Sequence, residues 1–197
     1  MTERKWALRA AVPEDAGALV DFILMAGDGV PEYLWRSMAG PNESPRDVGA
    51  RRARRDEGGF SWRNAVIAES ADGEAVAGLI GYPLPDAPDP VDLEGVPPLV
   101  RPLLALEAQV PGSWYVNVIA TRPEWRRQGL AQALMDLAEK RAHETARRAL
   151  GLVVSSDRRA ARALYEARGF AAIATLPKAG DGPLQGGAEW VLYRKPL

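Results

Sequence analysis

An apolar run, a basic turn and a long amphipathic run together constrain the fold of this chain more than any other feature. Trp114–Ala120 is strongly apolar and has the length of a buried strand. Leu130–Arg148 is predicted to be a helix, because its apolar residues recur three and four positions apart and define one face: Leu130, Ala133, Leu134 and Leu137. The intervening residues must turn the chain, so the sequence predicts a strand–loop–helix unit of an α/β domain.

The loop between these runs ends in Arg126-Arg127-Gln128-Gly129-Leu130-Ala131. A helix that begins here exposes about four unpaired backbone N–H groups and a partial positive charge, which together bind anions. Gly129 lets the backbone approach a phosphate closely, and the small Ala131 leaves the approach open. The Gly-Lys-Ser/Thr ending of a P-loop and the three-glycine dinucleotide pattern are both absent. These residues indicate a diphosphate site without naming the nucleotide, and they also fit a surface helix with solvated arginines.

Hydrophobic periodicity and turn signals predict the remaining elements. Further strands are expected at a segment ending in Leu8-Arg9 and at Ala65–Glu69, Val76–Tyr82, Leu150–Ser155, Phe170–Leu176 and Glu189–Tyr193. Further helices are expected to open at Pro13 and Pro31 and to cover Arg46–Glu57 and Arg158–Arg168. The 197 residues fit one domain, 1–197.

The segment Pro83–Gly112 differs in composition from the rest of the chain. It is rich in proline, and its second half, Val100–Val110, has a helical pattern. We interpret it as an insertion between two strands of one domain. Its acidic residues would attract a cationic amine, although a solvated loop has the same composition: Asp86, Asp89, Asp92 and Glu94.

The composition excludes several classes of protein. The chain has no cysteine and one histidine, His143, so it holds no disulfide, no cysteine nucleophile and no histidine-based zinc site, and we predict no metal. Twenty-five Lys and Arg residues balance 26 Asp and Glu residues, which argues against nucleic acid or a membrane surface as partner. The absence of a leader-like segment and of a run of ~20 apolar residues predicts a cytoplasmic protein.

Although the overall charge is balanced, one short segment is strongly basic, the basic cluster Arg51-Arg52-Ala53-Arg54-Arg55. We interpret it as the solvated face of a helix, because Asp56 and Glu57 follow it. An interaction module that binds an acidic partner through these arginines is the alternative.

Two motifs in the chain resemble those of the GNAT N-acetyltransferases. Val118–Ala131 is similar to the family's acetyl-CoA motif, with Ala131 in place of the commoner glycine. Leu164-Tyr165-Glu166-Ala167-Arg168-Gly169-Phe170 is similar to the element that ends a later helix, although Arg158 replaces the asparagine that often precedes it. The resemblance implies a central mixed, mostly antiparallel twisted sheet of about six or seven strands with a V-shaped splay, flanked by helices.

The resemblance further implies that an acetyl group passes from acetyl-CoA to a primary amine by direct attack in a ternary complex. Backbone groups of Val118 and Ala120 would bond the pantetheine, and the Ile119 N–H would stabilise the oxyanion. Main-chain amides from Arg127 to Ala131 would hold the diphosphate. The implied cofactor-binding set is therefore Val118, Ile119, Ala120, Arg126, Arg127, Gln128, Gly129, Leu130 and Ala131.

For catalysis, the resemblance implies that Tyr165 protonates the leaving thiolate. Several family members carry a glutamate on the strand equivalent to Trp114–Ala120, but here Tyr115 and Asn117 occupy that face. Asn117 could order a water chain that removes the amine proton, and Glu107 and Glu69 are the other candidates for the base. The missing strand glutamate supports an alternative function, a CoA-binding sensor without turnover. The acceptor stays open between a small molecule and a peptide amine, and the resemblance allows a homodimer.

Overall fold

The computed structural model describes residues 5–87, 94–179 and 189–197. Its strands are β1 Trp6–Ala10, β2 Ala65–Ser70, β3 Ala75–Pro83, β4 Trp114–Thr121, β5 Ala149–Ser155, β6 Ala171–Pro177 and β7 Glu189–Pro196. Its helices are α1 Ala16–Ala26, α2 Val30–Met38, α3 Pro45–Ala53, α4 Arg101–Glu107, α5 Leu130–Glu144 and α6 Arg159–Ala167.

The strands form one sheet in the order β1-β2-β3-β4-β5-β7-β6. The pairs β1–β2, β2–β3, β5–β7 and β6–β7 are antiparallel. β4 pairs with β5 in parallel over three residue pairs, from Trp114↔Leu150 to Val116↔Leu152, although β4 has 8 residues. The predicted mixed, mostly antiparallel sheet of six or seven strands is confirmed.

The chain divides into two compact units. Unit 1 consists of Met1–Gly81 and Asn117–Leu137. In it, α1 packs against α2 and α3, and the buried side chains form a core whose large members are Phe22, Trp35, Ile67 and Ile80. This core supports the C-terminal part of β4, because the buried Val118 belongs to it.

Unit 2 consists of Tyr82–Val116 and Ala138–Leu197. Helix α4 packs against β5, β6 and β7, and Leu106 faces inward with no exposed surface. The Glu139 carboxylate accepts hydrogen bonds from Arg168 Nη2 at 2.7 Å and Lys195 Nζ at 2.8 Å. This ion triad ties the second half of α5 to the end of α6 and to β7.

Two helices are shorter than the sequence predicts. The helix expected over Leu130–Arg148 ends at Glu144, because Ala146 takes a left-handed φ of 55° and the Arg147 amide bonds to the Ala142 carbonyl at 2.7 Å. The helix expected over residues 46–57 ends at Ala53. Neither helix has a glycine directly after its last residue, so the sequence gives no signal for where either helix ends.

Candidate functional site

The turn between β4 and α5 contains two residues in the left-handed region. Pro123–Trp125 forms one 3₁₀ turn, after which Arg127 has φ 63° and Gly129 has φ 81°. A Cβ built on Gly129 would meet only Gln132 Oε1, at 3.9 Å, so the surroundings of Gly129 are open. Glycine is required here by the backbone conformation and not by crowding.

This turn presents unpaired amides to solvent. The Ala133 N–H bonds to the Gly129 carbonyl at 3.0 Å, so the amides of residues 130–132, in the first turn of the helix, have no intrahelical carbonyl acceptor. Arg126–Gly129 is exposed, whereas the next side chain, Leu130, is buried and anchors the helix. The turn therefore combines three features that favour anion binding: first-turn amides, a helix N-terminus and two cationic side chains on the surface.

Arg122 fixes the start of this turn. Its backbone N–H bonds to the Val76 carbonyl at 2.9 Å, and its Nε donates to the Ala75 carbonyl at 2.8 Å. Its guanidinium also reaches Asp21 at 3.4 Å. Three groups of one arginine thus hold the chain where it leaves the sheet, which positions the amides of the turn.

The strand residues assigned to the pantetheine lie just before this turn, in the same unit. Val118 is buried, and Ile119 and Ala120 are half-buried. The Asn117 side-chain nitrogen donates to the Gly59 carbonyl at 3.4 Å, which links β4 to the segment that precedes β2. Unit 1 therefore brings together the whole predicted cofactor-binding set from Val118 to Ala131.

Tyr165 lies in unit 2, where a helix cap fixes it. The Phe170 amide bonds to the Tyr165 carbonyl and the Gly169 amide to the Glu166 carbonyl, both at 3.0 Å, with Gly169 at φ 86°. This is the Schellman arrangement, and it explains the spacing of tyrosine, glycine and phenylalanine in the second motif. Tyr165 is 5% exposed, and burial raises the pKa of its hydroxyl, so the group stays protonated at neutral pH.

A polar chain supports the same helix. Arg162 Nε donates to the Tyr193 hydroxyl at 3.0 Å, and that hydroxyl donates to Glu166 Oε1 at 2.5 Å. The Tyr193 ring lies 6.1 Å from the Tyr165 ring, centroid to centroid. These contacts hold Tyr165 between its own helix and β7.

The two glutamates considered as the base have different surroundings. Glu69 accepts a 2.8 Å hydrogen bond from Arg9 Nε, so its carboxylate is already paired. Glu107 is partly buried at the end of α4, and burial raises its pKa. A carboxyl group with a raised pKa accepts a proton more readily, which favours Glu107 as a base.

Two tyrosines accompany Glu107 in unit 2. Tyr82 and Tyr115 have ring centroids 5.9 Å apart, and burial followed by the Glu107 charge raises the pKa of each hydroxyl. We did not predict a functional role for Tyr82. The available signal is its position in the sequence: Tyr82 directly precedes the proline-rich segment, and Tyr115 follows that segment closely.

The other charged features have structural partners. Asp86 accepts a 2.8 Å bond from Arg147, Glu94 is exposed, and the predicted Asp89 and Asp92 lie outside the described residues. In the basic cluster, Arg51 pairs with Glu43 at 3.0 Å.

Within residues 5–87, 94–179 and 189–197, no three carboxylate or imidazole groups are arranged to hold a metal ion. In the same ranges, no helix combines the length and the apolarity needed to cross a bilayer.

The comparison with protein families identifies the class. The sequence model of the Acetyltransferase (GNAT) family matches residues 32–170. The chain belongs to this family, and the predicted N-acetyltransferase is confirmed at this level. Acetyl-CoA is the donor that the family uses. No curated protein is significantly similar to the chain in sequence.

Solved structures agree on the fold. An acetyltransferase structure is 20% identical, with 96% of this chain and 98% of that chain covered and a TM-score of 0.66. The apo form of a mutant agmatine N-acetyltransferase is 17% identical, with 98% and 100% covered and a TM-score of 0.66. Naa20 from Chaetomium thermophilum in complex with a bisubstrate analogue is 16% identical, with 97% and 86% covered and a TM-score of 0.55. At these identities the likeness shows the GNAT fold.

Proposed function

We propose that the chain transfers an acetyl group from acetyl-CoA to a primary amine by direct attack in a ternary complex. The observation that carries the proposal is the exposed turn at Gly129, whose free amides open α5 directly behind an apolar strand. A diphosphate fits these amides, because they supply several N–H donors and the positive end of a helix dipole. Acetyl-CoA supplies the activated thioester and needs no acyl-enzyme.

We assign the binding of CoA to unit 1. Backbone groups of Val118 and Ala120 bond the pantetheine, and the amides from Arg127 to Ala131 hold the diphosphate, with the Arg126 charge beside them. The Ile119 N–H stabilises the negative charge that develops on the thioester oxygen. Arg122 supports this assignment, since its bonds to β3 hold the turn rigid before any ligand arrives.

We assign the proton transfers to Glu107, Tyr165 and Asn117. The Glu107 carboxylate takes a proton from the acceptor ammonium, and the nitrogen lone pair then attacks the thioester carbonyl carbon. As the carbon–sulfur bond breaks, the Tyr165 hydroxyl gives its proton to the CoA sulfur. The second proton of the attacking nitrogen returns to Tyr165 through solvent. Asn117 orders the water through which protons leave.

The first test is CoA binding. Addition of CoA should raise the melting temperature of the wild-type chain, because a ligand that binds only the folded state stabilises it. If CoA leaves the melting temperature unchanged and does not perturb the amide resonances of residues 127–131 in NMR spectra, the assignment is wrong.

The second test is turnover. Acetyl-CoA with a panel of primary amines should release CoA thiol, and initial rates measured against both substrates should give intersecting lines in double-reciprocal plots. Parallel lines would indicate an acyl-enzyme and contradict the ternary complex. Tight CoA binding without thiol release from any amine would instead favour the sensor function, which the absence of a carboxylate on β4 supports.

A further inference from the structure

The segment between α3 and β2 folds into a tight loop that fixes Arg55. The Ser61 side chain is fully buried, and its hydroxyl donates to the Arg55 carbonyl at 2.6 Å. The Ser61 amide donates to the Gly58 carbonyl at 3.0 Å, and the same carbonyl accepts Asn64 Nδ2 at 3.1 Å. The loop's own hydrogen bonds therefore hold the backbone that carries Arg55.

The Arg55 side chain folds back onto this loop. A Cβ built on Gly58 would lie 3.7 Å from Arg55 Nη2, so the guanidinium covers this glycine. The next residue, Gly59, accepts the Asn117 side-chain nitrogen at 3.4 Å. Asn117 is the β4 side chain to which we assign the water that carries protons away. The Arg55 guanidinium thus lies beside the peptide unit that contacts Asn117, and both belong to unit 1.

Arg55 has no counter-ion in the described part of the chain, where its guanidinium forms no ion pair and no hydrogen bond. The neighbouring Asp56 is already taken, because Arg63 Nη2 lies 2.7 Å from its carboxylate. Arg63 also stacks on Trp62, with its guanidinium carbon 4.3 Å from the ring centroid. Glu57 forms no ion pair among the same residues. One exposed guanidinium is therefore free to bind an anion.

Arg52 adds positive charge next to this guanidinium. The Arg55 amide donates to the Arg52 carbonyl at 3.3 Å, so the two residues lie one turn apart. Burial, followed by the charges of Arg55 and Arg51, lowers the pKa of Arg52, which an arginine nevertheless keeps far above neutral pH. Arg52 Nε is buried without a partner among the described residues. An anion bound here would relieve the repulsion between these cations.

We propose that Arg55 binds a carboxylate of the acceptor, so that the acceptor is an amine that also carries a carboxylate. A guanidinium matches a carboxylate through two parallel charge-assisted hydrogen bonds. Arg55 is exposed, so a small molecule can reach it. This inference rests on the proposed acetyl transfer, since it uses the assignment of Asn117, and it makes Arg55 a residue that determines specificity.

Binding tests the site without turnover, with CoA at saturation so that CoA occupies the turn at Gly129. The probes are ω-amino acids of three to six carbons, each compared with its own primary amide, which has the same length and the same amine but no carboxylate. Ligand-observed NMR at pH 7.5 should show at least one amino acid bound roughly tenfold more tightly than its amide, since a charge-assisted contact is worth about that factor. Equal binding of acid and amide across the whole series would overturn the site.

Variants locate the effect. Arg55→Gln should weaken binding of the preferred amino acid roughly tenfold and leave its amide unchanged, whereas Arg55→Lys keeps the charge without the fork and should lose about threefold. Arg54→Gln is the matched control, because Arg54 is the adjacent exposed arginine and forms no ion pair among the described residues. A loss in Arg54→Gln as large as that in Arg55→Gln would assign the effect to the general positive field and overturn the site.

Turnover is then measured separately. With acetyl-CoA, the preferred amino acid should be acetylated with a kcat/KM roughly tenfold above that of its amide. Arg55→Gln should raise KM and change kcat less than about twofold, because the contact is the same in the ground state and the transition state. If the amino acid binds as described but is not acetylated, the acetyl-transfer proposal fails while the carboxylate site stands. Equal kcat/KM for acid and amide would overturn the site and leave acetyl transfer intact.

Discussion

The Tyr165 carbonyl accepts the Phe170 amide at 3.0 Å while the two rings pack with their centroids 5.8 Å apart. This pair closes the end of α6 and combines a helix cap with its hydrophobic contact. The second sequence motif therefore encodes the end of α6, whatever chemical role Tyr165 has. Tyr165 owes its fixed position to the cap, and burial raises the pKa of its hydroxyl.

Tyr165→Phe tests the acid role. The variant keeps the ring, the carbonyl and the cap, so only the hydroxyl proton is lost. We expect kcat to fall roughly 10²-fold or more, the usual contribution of a general acid, with the Kd for CoA changed less than about twofold. Tyr33→Phe removes a hydroxyl from an exposed tyrosine of α2 and serves as the control. Equal kcat in Tyr165→Phe and the wild type would dismiss the role.

Gly129→Ala tests the turn. Alanine at φ 81° is strained by about 1 kcal/mol, and its methyl group would cover amides assigned to the diphosphate. We expect CoA affinity to fall roughly tenfold, as measured by calorimetry.

Gly73→Ala is the matched control for the turn. Gly73 has the same φ of 81° in the β2–β3 hairpin, and a Cβ there would meet nothing within 4 Å. Both variants should lose about the same stability, near 1 kcal/mol in chemical denaturation. Only Gly129→Ala should lose CoA affinity, and a similar loss in Gly73→Ala would show that the effect is one of stability.

Glu139→Gln tests the ion triad of unit 2. Burial raises the pKa of Glu139, but the hydrogen bonds from Lys195 and Arg168 outweigh it, so the pKa lies below its ordinary value. A carboxyl group with a lowered folded-state pKa stabilises the fold above its ordinary pKa and loses this contribution as the pH falls through the folded value. We expect the variant to lose about 1–3 kcal/mol at pH 7, judged by urea denaturation.

The pH dependence separates this triad from simple packing. The gap in unfolding free energy between Glu139→Gln and the wild type should close as the pH falls below about 4, because the wild-type carboxylate becomes protonated. A gap that is independent of pH would mean that the charge of Glu139 contributes nothing.

Glu107→Gln tests whether the Glu107 carboxylate lowers the stability of the fold while it supports activity. Burial raises the folded-state pKa of Glu107, so the folded protein holds this proton more tightly than the unfolded chain does. Its contribution is present below the ordinary pKa and is lost as the pH rises through the raised value. We therefore expect Glu107→Gln to raise the melting temperature at pH 8 and to lower kcat for amine acetylation. The rise should vanish near pH 4, and a variant less stable than the wild type at pH 8 would contradict the raised pKa of Glu107.

The sequence predicted the parts of the fold that depend on local patterns. The apolar run at β4, the glycine that opens α5 and the Gly169-Phe170 end of α6 each act within a few residues, and the structure has all three. The end of α5 was predicted too late because Ala146 adopts a left-handed φ that its residue type does not signal.

The candidate site was predicted less completely. The residues assigned to CoA binding all fall between positions 118 and 131, so their grouping could be predicted from the sequence. Tyr82 and Tyr115 come together because β3 lies beside β4 in the sheet and Leu84 pairs with Ser113, a contact between residues nearly thirty positions apart. No periodicity or spacing encodes that contact.

The two hydrogen bonds at the base of the Pro83–Gly112 segment, from the Leu84 amide to Ser113 and from the Gly112 amide to Pro85, have an evolutionary consequence. Since the ends of the segment already meet, doubling its length would add only about 0.6 kcal/mol of closure entropy and leave the register of the strands intact. Insertions and deletions in related chains should therefore fall between Pro85 and α4 more readily than within α4, where Leu106 is fully buried.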